Sequence, residues 1–246
     1  MTSAVARTRP ARREPNARTP TIAPALLSID APATRRHYVA SPPAAWKRAL
    51  DYSLALLLFV AALPIMVLTA IAVRLTSAGP AIYRQTRVGL GGRIVTIAKF
   101  RSMYHECERI SGIQWCTKND PRITPLGHWL RKLHLDELPQ LWNVLRGEMS
   151  LVGPRPERPE IVADLEVMLP GYGLRHTVMP GITGFAQIHL PPDSSLQTVK
   201  NKMIYDRYYV ENAGLWLDLK CLVCTALKVV GLGRVYRRAP RKPAGE

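Results

Sequence analysis

The sequence predicts an α/β domain, small and helix-rich with a short β-hairpin, anchored by an N-terminal re-entrant membrane helix. Three observations carry this. Leu54 to Val73, LALLLFVAALPIMVLTAIAV, is twenty residues without a charge, and twenty helical residues rise about 30 Å, the thickness of a bilayer core. Two β-prone runs, AIYRQTRV and RIVTIAKF, flank GLGG, which is the pattern of a hairpin. The rest of the chain is a series of helical stretches punctuated by Pro and Gly.

Composition sets the frame. The 246 residues suffice for one sizeable domain plus extras, and 47% hydrophobic content is too low for a multi-span membrane protein. A formal net charge of +16 demands an acidic partner or surface: nucleic acid, anionic lipid or a phosphorylated substrate. Four cysteines over this length, Cys107, Cys116, Cys221 and Cys224, do not make a disulfide framework. Cys221 and Cys224 form a CxxC inside an apolar helical pattern, where two small buried side chains are the better reading than half a zinc site.

Residues 1–45 hold seven prolines, seven arginines and two acidic residues, Glu14 and Asp30. Such a segment cannot bury enough surface to fold alone and reads as a disordered basic tail, attracted at most to an anionic membrane surface. Residues 46–78 form the anchor. Pro64 sits mid-segment, where it removes a backbone hydrogen bond and kinks the helix. Positive charge flanks both ends, Lys47 and Arg48 before it and Arg74, Arg84 and Arg87 after it. The positive-inside tendency then puts both ends on the cytoplasmic face, as a helix–break–helix would and a straight span would not.

Residues 79–233 make up the folded domain that follows the anchor. After the hairpin, KFRSMYHECERI looks helical, NDPRITPLG turns and HWLRKLHL looks helical again. DELPQLWNVLRG reads as a helix with Asp136 at its N-cap, Pro139 in the first turn and Gly147 as the stop. SLVGPRPERP reads as a stiff loop, 160–176 as a helix, MPGITG as a turn, and KNKMIYDRYYVENAGLWLDLKCLVCTALKVVGLG as two helices. The second apolar stretch, from Leu215, carries Asp218 and Lys220 and suits a helix lying on the core or the membrane surface rather than a span. Residues 234–246 are a second basic tail.

The chemistry concentrates at Asp136-Glu137. Adjacent residues do not share a helix face, so one carboxylate can act while the other binds a metal or tunes it. Taken alone, the pair is better explained as a cap and a first-turn acid. Its surroundings shift the balance: Arg131 and Lys132 precede it and Arg146 and Arg155 follow it. A helix start ringed by arginines suits phosphate, carboxylates can attack phosphorus, and two carboxylates beside phosphates suit Mg²⁺. Lys99 and Arg101 add a further basic cluster, and the prolines around Arg155 leave that loop little entropy to lose. Asp206 lies among aromatics in YDRYY.

KFRSM, LRKLHLDELPQLWNVLRGEMSLVGPRPE, PGITGFAQ and YDRYYVENAGLWLDLK, in this order between about Trp46 and Gly231, strongly resemble the bacterial sugar transferase family, the monotopic polyprenyl-phosphate phosphoglycosyl transferases. The resemblance implies an enzyme that starts exopolysaccharide or related glycan assembly. Asp136 would attack the sugar-bearing phosphorus of a UDP-sugar, UMP would leave, and polyprenol (undecaprenyl) phosphate would collect the phospho-sugar from the covalent intermediate. Glu137 would support Mg²⁺, held with Asp136. Lys99, Arg101, Arg131 and Arg155 match basic positions suited to phosphate, and Asp206 a motif acid near the site. The location implied is the cytoplasmic face of the bacterial inner membrane. The partners are UDP-sugar, polyprenol phosphate and anionic lipid, with homo-oligomers left open.

Two features depart from the family's pattern. FAQIHLPPDSS stands where many members carry Asn-Gly-Arg, and His134-Leu135 precedes the dyad where Ser or Thr before Leu is usual. Among alternatives, a nucleic-acid binder leaves the uncharged segment unexplained and lacks basic residues alternating with exposed aromatics. A catalytically inactive membrane scaffold has no use for the dyad.

Overall fold

The computed structural model describes residues 38–112, 120–191 and 195–232. The expected tail 1–45 lies outside them except for its last residues: Tyr38 donates to Glu166, and the Ser41 amide donates to the Thr177 carbonyl at 2.9 Å. The expected tail 234–246 also lies outside.

Helix α1, Ala45–Thr76, is about 48 Å long at 1.5 Å per residue. It runs through Pro64 without interruption. One stripe at roughly four-residue spacing packs on the domain: Lys47, Asp51, Ala55, Thr69 and Val73 are buried, with Phe59 and Met66 continuing the line between them. The opposite face carries leucine, isoleucine and valine into the open; Leu57 and Leu68 are about two-thirds exposed. Among the described residues this is the helix long and apolar enough to cross a membrane.

Strands β1 (Ile82–Val88) and β2 (Ile94–Phe100) form the expected antiparallel hairpin, registered Ile82 to Phe100 and Val88 to Ile94. Gly91 and Gly92 of GLGG take φ of 64° and 80°, the left-handed turn that a Cβ would strain. KFRSMYHECERI is helical only at α2, Cys107–Ser111. Its first half is drawn out because the Tyr104 amide donates to Arg122 (2.9 Å) and Ser102 accepts from the Thr124 amide (3.0 Å). Helix α3, Pro125–Lys132, starts on Thr124, whose hydroxyl accepts from the Gly127 amide, with proline in the first turn.

A 3-10 turn, Leu135–Glu137, leads into α4, Gln140–Leu145, which stops before Gly147 at φ 72°. SLVGP and PGITG, read as loop and turn, contain a parallel strand pair: β3 (Ser150–Val152) and β4 (Gly181–Thr183). Glycine is required where they meet. A Cβ on Gly153 would strike the Met179 carbonyl, and one on Gly181 would strike the Gly153 amide. The helix expected over 160–176 divides into α5 (Pro159–Met168) and a 3-10 segment (Tyr172–Thr177), parted by Gly171 at φ 83°. Then follow α6 (Phe185–His189), α7 (Leu196–Asn212) and α8 (Leu215–Val229). The expected α/β class is thus borne out in its coarse form, helix-rich with small two-stranded sheets.

A polar knot fastens α1 to this body. Lys47 Nζ lies 2.6 Å from Asp218 Oδ2, 3.2 Å from the Val152 carbonyl and 3.6 Å from Asp51. The Tyr209 hydroxyl donates to Asp218 at 2.8 Å, and Asp51 accepts the Leu151 amide at 3.0 Å. Cys221 is fully buried beside it and Cys224 nearly so, as expected for packing residues.

Candidate active site

His134 starts the site. It follows α3 in the left-handed region (φ 56°), uncommon for a side chain with a Cβ, and so turns the chain into the 3-10 segment that holds Asp136 and Glu137. Asp136 is therefore inside a 3-10 turn, not the N-cap of α4; Pro139 holds that place. The difference matters, because a capping carboxylate would be occupied by backbone amides. The turn is pinned from below. Leu135 packs with Val73, Phe100 and Leu130, and Leu138 joins both that cluster and the central core, so the dyad rests against α1 and the hairpin.

The two carboxylates have opposite fates. Glu137 is clamped: Arg155 grips it with both terminal nitrogens, and Lys99 Nζ stands at 3.5 Å. Burial by itself would raise its pKa, but Arg155, Lys99 and, further off, His134 outweigh burial and hold the carboxyl well below the usual range. Asp136 is buried, with 8% of its surface exposed, yet accepts no hydrogen bond and makes no ion pair among the described residues. Burial first, and the charge of Glu137 second, raise it above the ordinary carboxylate range against the pull of Lys99, Arg131 and Arg155. Lys99 is lowered to about 8, chiefly by burial and then by Arg155, although Glu137 opposes this.

Arg131 lies in the last turn of α3 and donates from Nε to the Ser102 hydroxyl at 2.8 Å. Arg155 is set by its loop. Arg175 Nη2 holds the Arg155 carbonyl at 2.5 Å, its Nη1 meets the Tyr172 hydroxyl at 2.5 Å, and Asp206 lies 3.2 Å from it. Arg87 fastens the same loop from the hairpin, at 2.6 Å from Glu157 and 3.1 Å from the Pro156 carbonyl.

The structure thus brings together Lys99, Arg131, Asp136, Glu137 and Arg155. Asp206 stands behind them, acting through Arg175 on the loop of Arg155. Arg101 is elsewhere: it is buried, with Nη2 on the Ser77 carbonyl (2.7 Å) and hydroxyl (2.9 Å), closing the C-terminal end of α1. Two residues escaped the sequence reading. Arg175 lay in a stretch read as plain helix. Lys228, on the last turn of α8, donates to the Gln187 carbonyl at 3.0 Å and feels both Arg155 and Glu137; no local pattern marks it.

What the arrangement can do is clear in outline. A buried carboxylate without a partner faces a surplus of cation, which suits an anion whose electrophilic centre the carboxylate can reach.

The bacterial sugar transferase family model matches residues 43–231. The chain is 43% identical over 188 residues to a UDP-glucose:undecaprenyl-phosphate glucose-1-phosphate transferase of Xanthomonas campestris pv. campestris, covering 76% of this chain and 39% of that protein. It is 42% identical over 173 residues to a UDP-N-acetylgalactosamine-undecaprenyl-phosphate N-acetylgalactosaminephosphotransferase of Aeromonas hydrophila, covering 70% of this chain and 41% of that one. An exopolysaccharide production protein, PSS, of Rhizobium leguminosarum bv. phaseoli is 36% identical over 195 residues, covering 77% of this chain and 98% of the relative. The chain spans about two fifths of the first two relatives and nearly the whole of the third. The chain belongs to the bacterial sugar transferase family.

Proposed function

We propose that this protein transfers a sugar 1-phosphate from a UDP-sugar to undecaprenyl phosphate, releasing UMP, through a covalent phospho-sugar on Asp136. The observation that carries the reading is the unequal dyad, one carboxylate locked by Arg155 and Lys99 and its neighbour buried without a partner. The names of the relatives support the substrate classes.

In this scheme a carboxylate oxygen of Asp136 bonds to the β-phosphorus. The bond from that phosphorus to the oxygen bridging to the α-phosphate breaks, and UMP leaves with the electron pair. An oxygen of the lipid phosphate then attacks the same phosphorus, Asp136 is freed, and polyprenyl diphosphate sugar results. Raised basicity makes Asp136 a better nucleophile than a free aspartate, provided the pH keeps it ionised. Lys99, Arg131 and Arg155 offset charge on the transferring group, while Glu137 fixes the two cations nearest it. A water-poor site protects the acyl phosphate from hydrolysis.

Mg²⁺ fits the residues present: Asp136 has free lone pairs, Glu137 adjoins it, and this ion usually takes one or two carboxylates with substrate oxygens. When bound it would neutralise diphosphate charge.

Helix α1 places this chemistry at a membrane. We read it as entering one leaflet and leaving on the side it came from. In support, both of its ends and its middle pack on one domain, which cannot sit on both faces of a bilayer. Both ends would then face the cytoplasm.

The test is UMP release by membranes containing the full chain, given Mg²⁺, undecaprenyl phosphate and a panel of UDP-sugars. The reading expects release with one donor class, dependent on Mg²⁺ and acceptor and lost in Asp136→Asn. Silence with every donor would favour a scaffold.

A further inference from the structure

A groove of about 770 Å³ lies on the other side of the hairpin from Lys99. Its walls come from three elements: Phe59 and Met66 of α1, Ile82 and Ile94 of the hairpin, and Trp142 of α4, whose ring is 5.9 Å from that of Phe59. Three arginines line it, Arg84, Arg93 and Arg146. Arg146 is answered by Glu148 at 3.0 Å, and Glu148 is also held by Asn143 at 2.6 Å. The guanidinium groups of Arg84 and Arg93 have no hydrogen bond or ion pair among the described residues.

We infer that this groove holds an anionic phospholipid of the surrounding membrane, one acyl chain along α1 and its phosphate at Arg84 and Arg93. Two observations select that occupant. Phe59 and Met66 lie inside the uncharged segment of α1, so the groove has a wall continuous with the bilayer-facing surface, and a lipid chain enters it without crossing water. Arg84 and Arg93 are exposed, unpaired among the described residues, and free to meet negative charge. The chain's own N-terminal tail, with seven arginines against two acids in 1–45, would be repelled, as would a second copy of a chain of net charge +16. A lipid phosphate supplies both the apolar body and the anion, at about a factor of five in affinity per basic residue. The site is separate from the dyad, and the inference does not depend on the proposed reaction.

The full chain, released from membranes in mild detergent with equal phosphatidylglycerol and phosphatidylcholine, is weighed with its retained lipid by native mass spectrometry. Phosphatidylglycerol should be retained over phosphatidylcholine. The double variant Arg84→Gln/Arg93→Gln should lower that retention by about twenty-five-fold, at a factor of about five for each arginine. Thr96→Trp, an exposed groove position that leaves every charge in place, should lower it too. Glycerol 3-phosphate should not compete. Equal retention of the two lipids, indifference to both variants, or displacement by glycerol 3-phosphate would each overturn the inference.

Discussion

Two clusters of buried charge are both tied to the strand β3 and the loop that follows it, and they are built on different rules. At one, Lys47, Asp51, Asp218 and Tyr209 satisfy one another and the backbone of Leu151 and Val152. At the other, Lys99, Arg131 and Arg155 surround two carboxylates, of which one is doubly gripped and the other left without a partner. The first is closed and holds α1 to the domain. The second is open on one residue. Burying a charge without a hydrogen-bond partner is costly, and that cost is why the raised pKa falls on Asp136 and not on Glu137. The clusters share a scaffold: β3 carries Val152 into the first and, after Gly153-Pro154, Arg155 into the second.

The contrast can be broken from either side. The largest effect is expected from Asp136→Asn, which removes the proposed nucleophile. UMP release should fall by at least about 10⁴-fold, as for other covalent catalysts, while thermal unfolding shifts little, because Asp136 makes no hydrogen bond among the described residues. Lys47→Met should do the reverse. It strands Asp218 and should cost about 3–5 kcal/mol in unfolding free energy, with turnover per folded molecule near normal. Asp206→Asn lies between them. By loosening Arg175 and through it Arg155, it should lower kcat/KM by about 10–100-fold, the range for residues that orient a site from behind, and Arg175→Lys should have a similar effect because it loses the fork.

The smallest effect is a shift in a pH profile. Lys99 loses its proton as pH rises past about 8, so kcat/KM, which reports the free enzyme, should decline on the alkaline side from there. Lys99→Arg should move that limb upward with only a modest change in the plateau. The acid limb belongs to Asp136, whose raised pKa means that activity is lost as pH falls, sooner than for an ordinary aspartate.

Much of this was legible in the sequence, for physical reasons. Twenty uncharged residues and GLGG between β-prone runs are strong local signals, and α1 and the hairpin follow them. The dyad and its basic neighbours were visible as residues. Their geometry was not, because the 3-10 turn hangs on the left-handed backbone of His134 and on Leu135 and Leu138 packing against distant elements. Strands β3 and β4 are three residues each, too short for any periodicity, and exist because glycines let two backbones approach. Arg101 looked like a phosphate ligand by its place two residues after Lys99, and alternation would put the two on one face, but the strand ends at Phe100 and Arg101 serves the end of α1 instead. Arg175 and Lys228 reach the site by tertiary folding alone.

The account's central claim is that Asp136 becomes covalently charged with phospho-sugar. The most direct measurement is the intact mass of the full chain after exposure to its UDP-sugar and Mg²⁺ without lipid acceptor, followed by peptide mapping. The account predicts an added sugar phosphate on the peptide containing Asp136, discharged on adding undecaprenyl phosphate and missing in Asp136→Asn. An unmodified mass in a preparation that releases UMP only when acceptor is present, or a label on another residue, would contradict it.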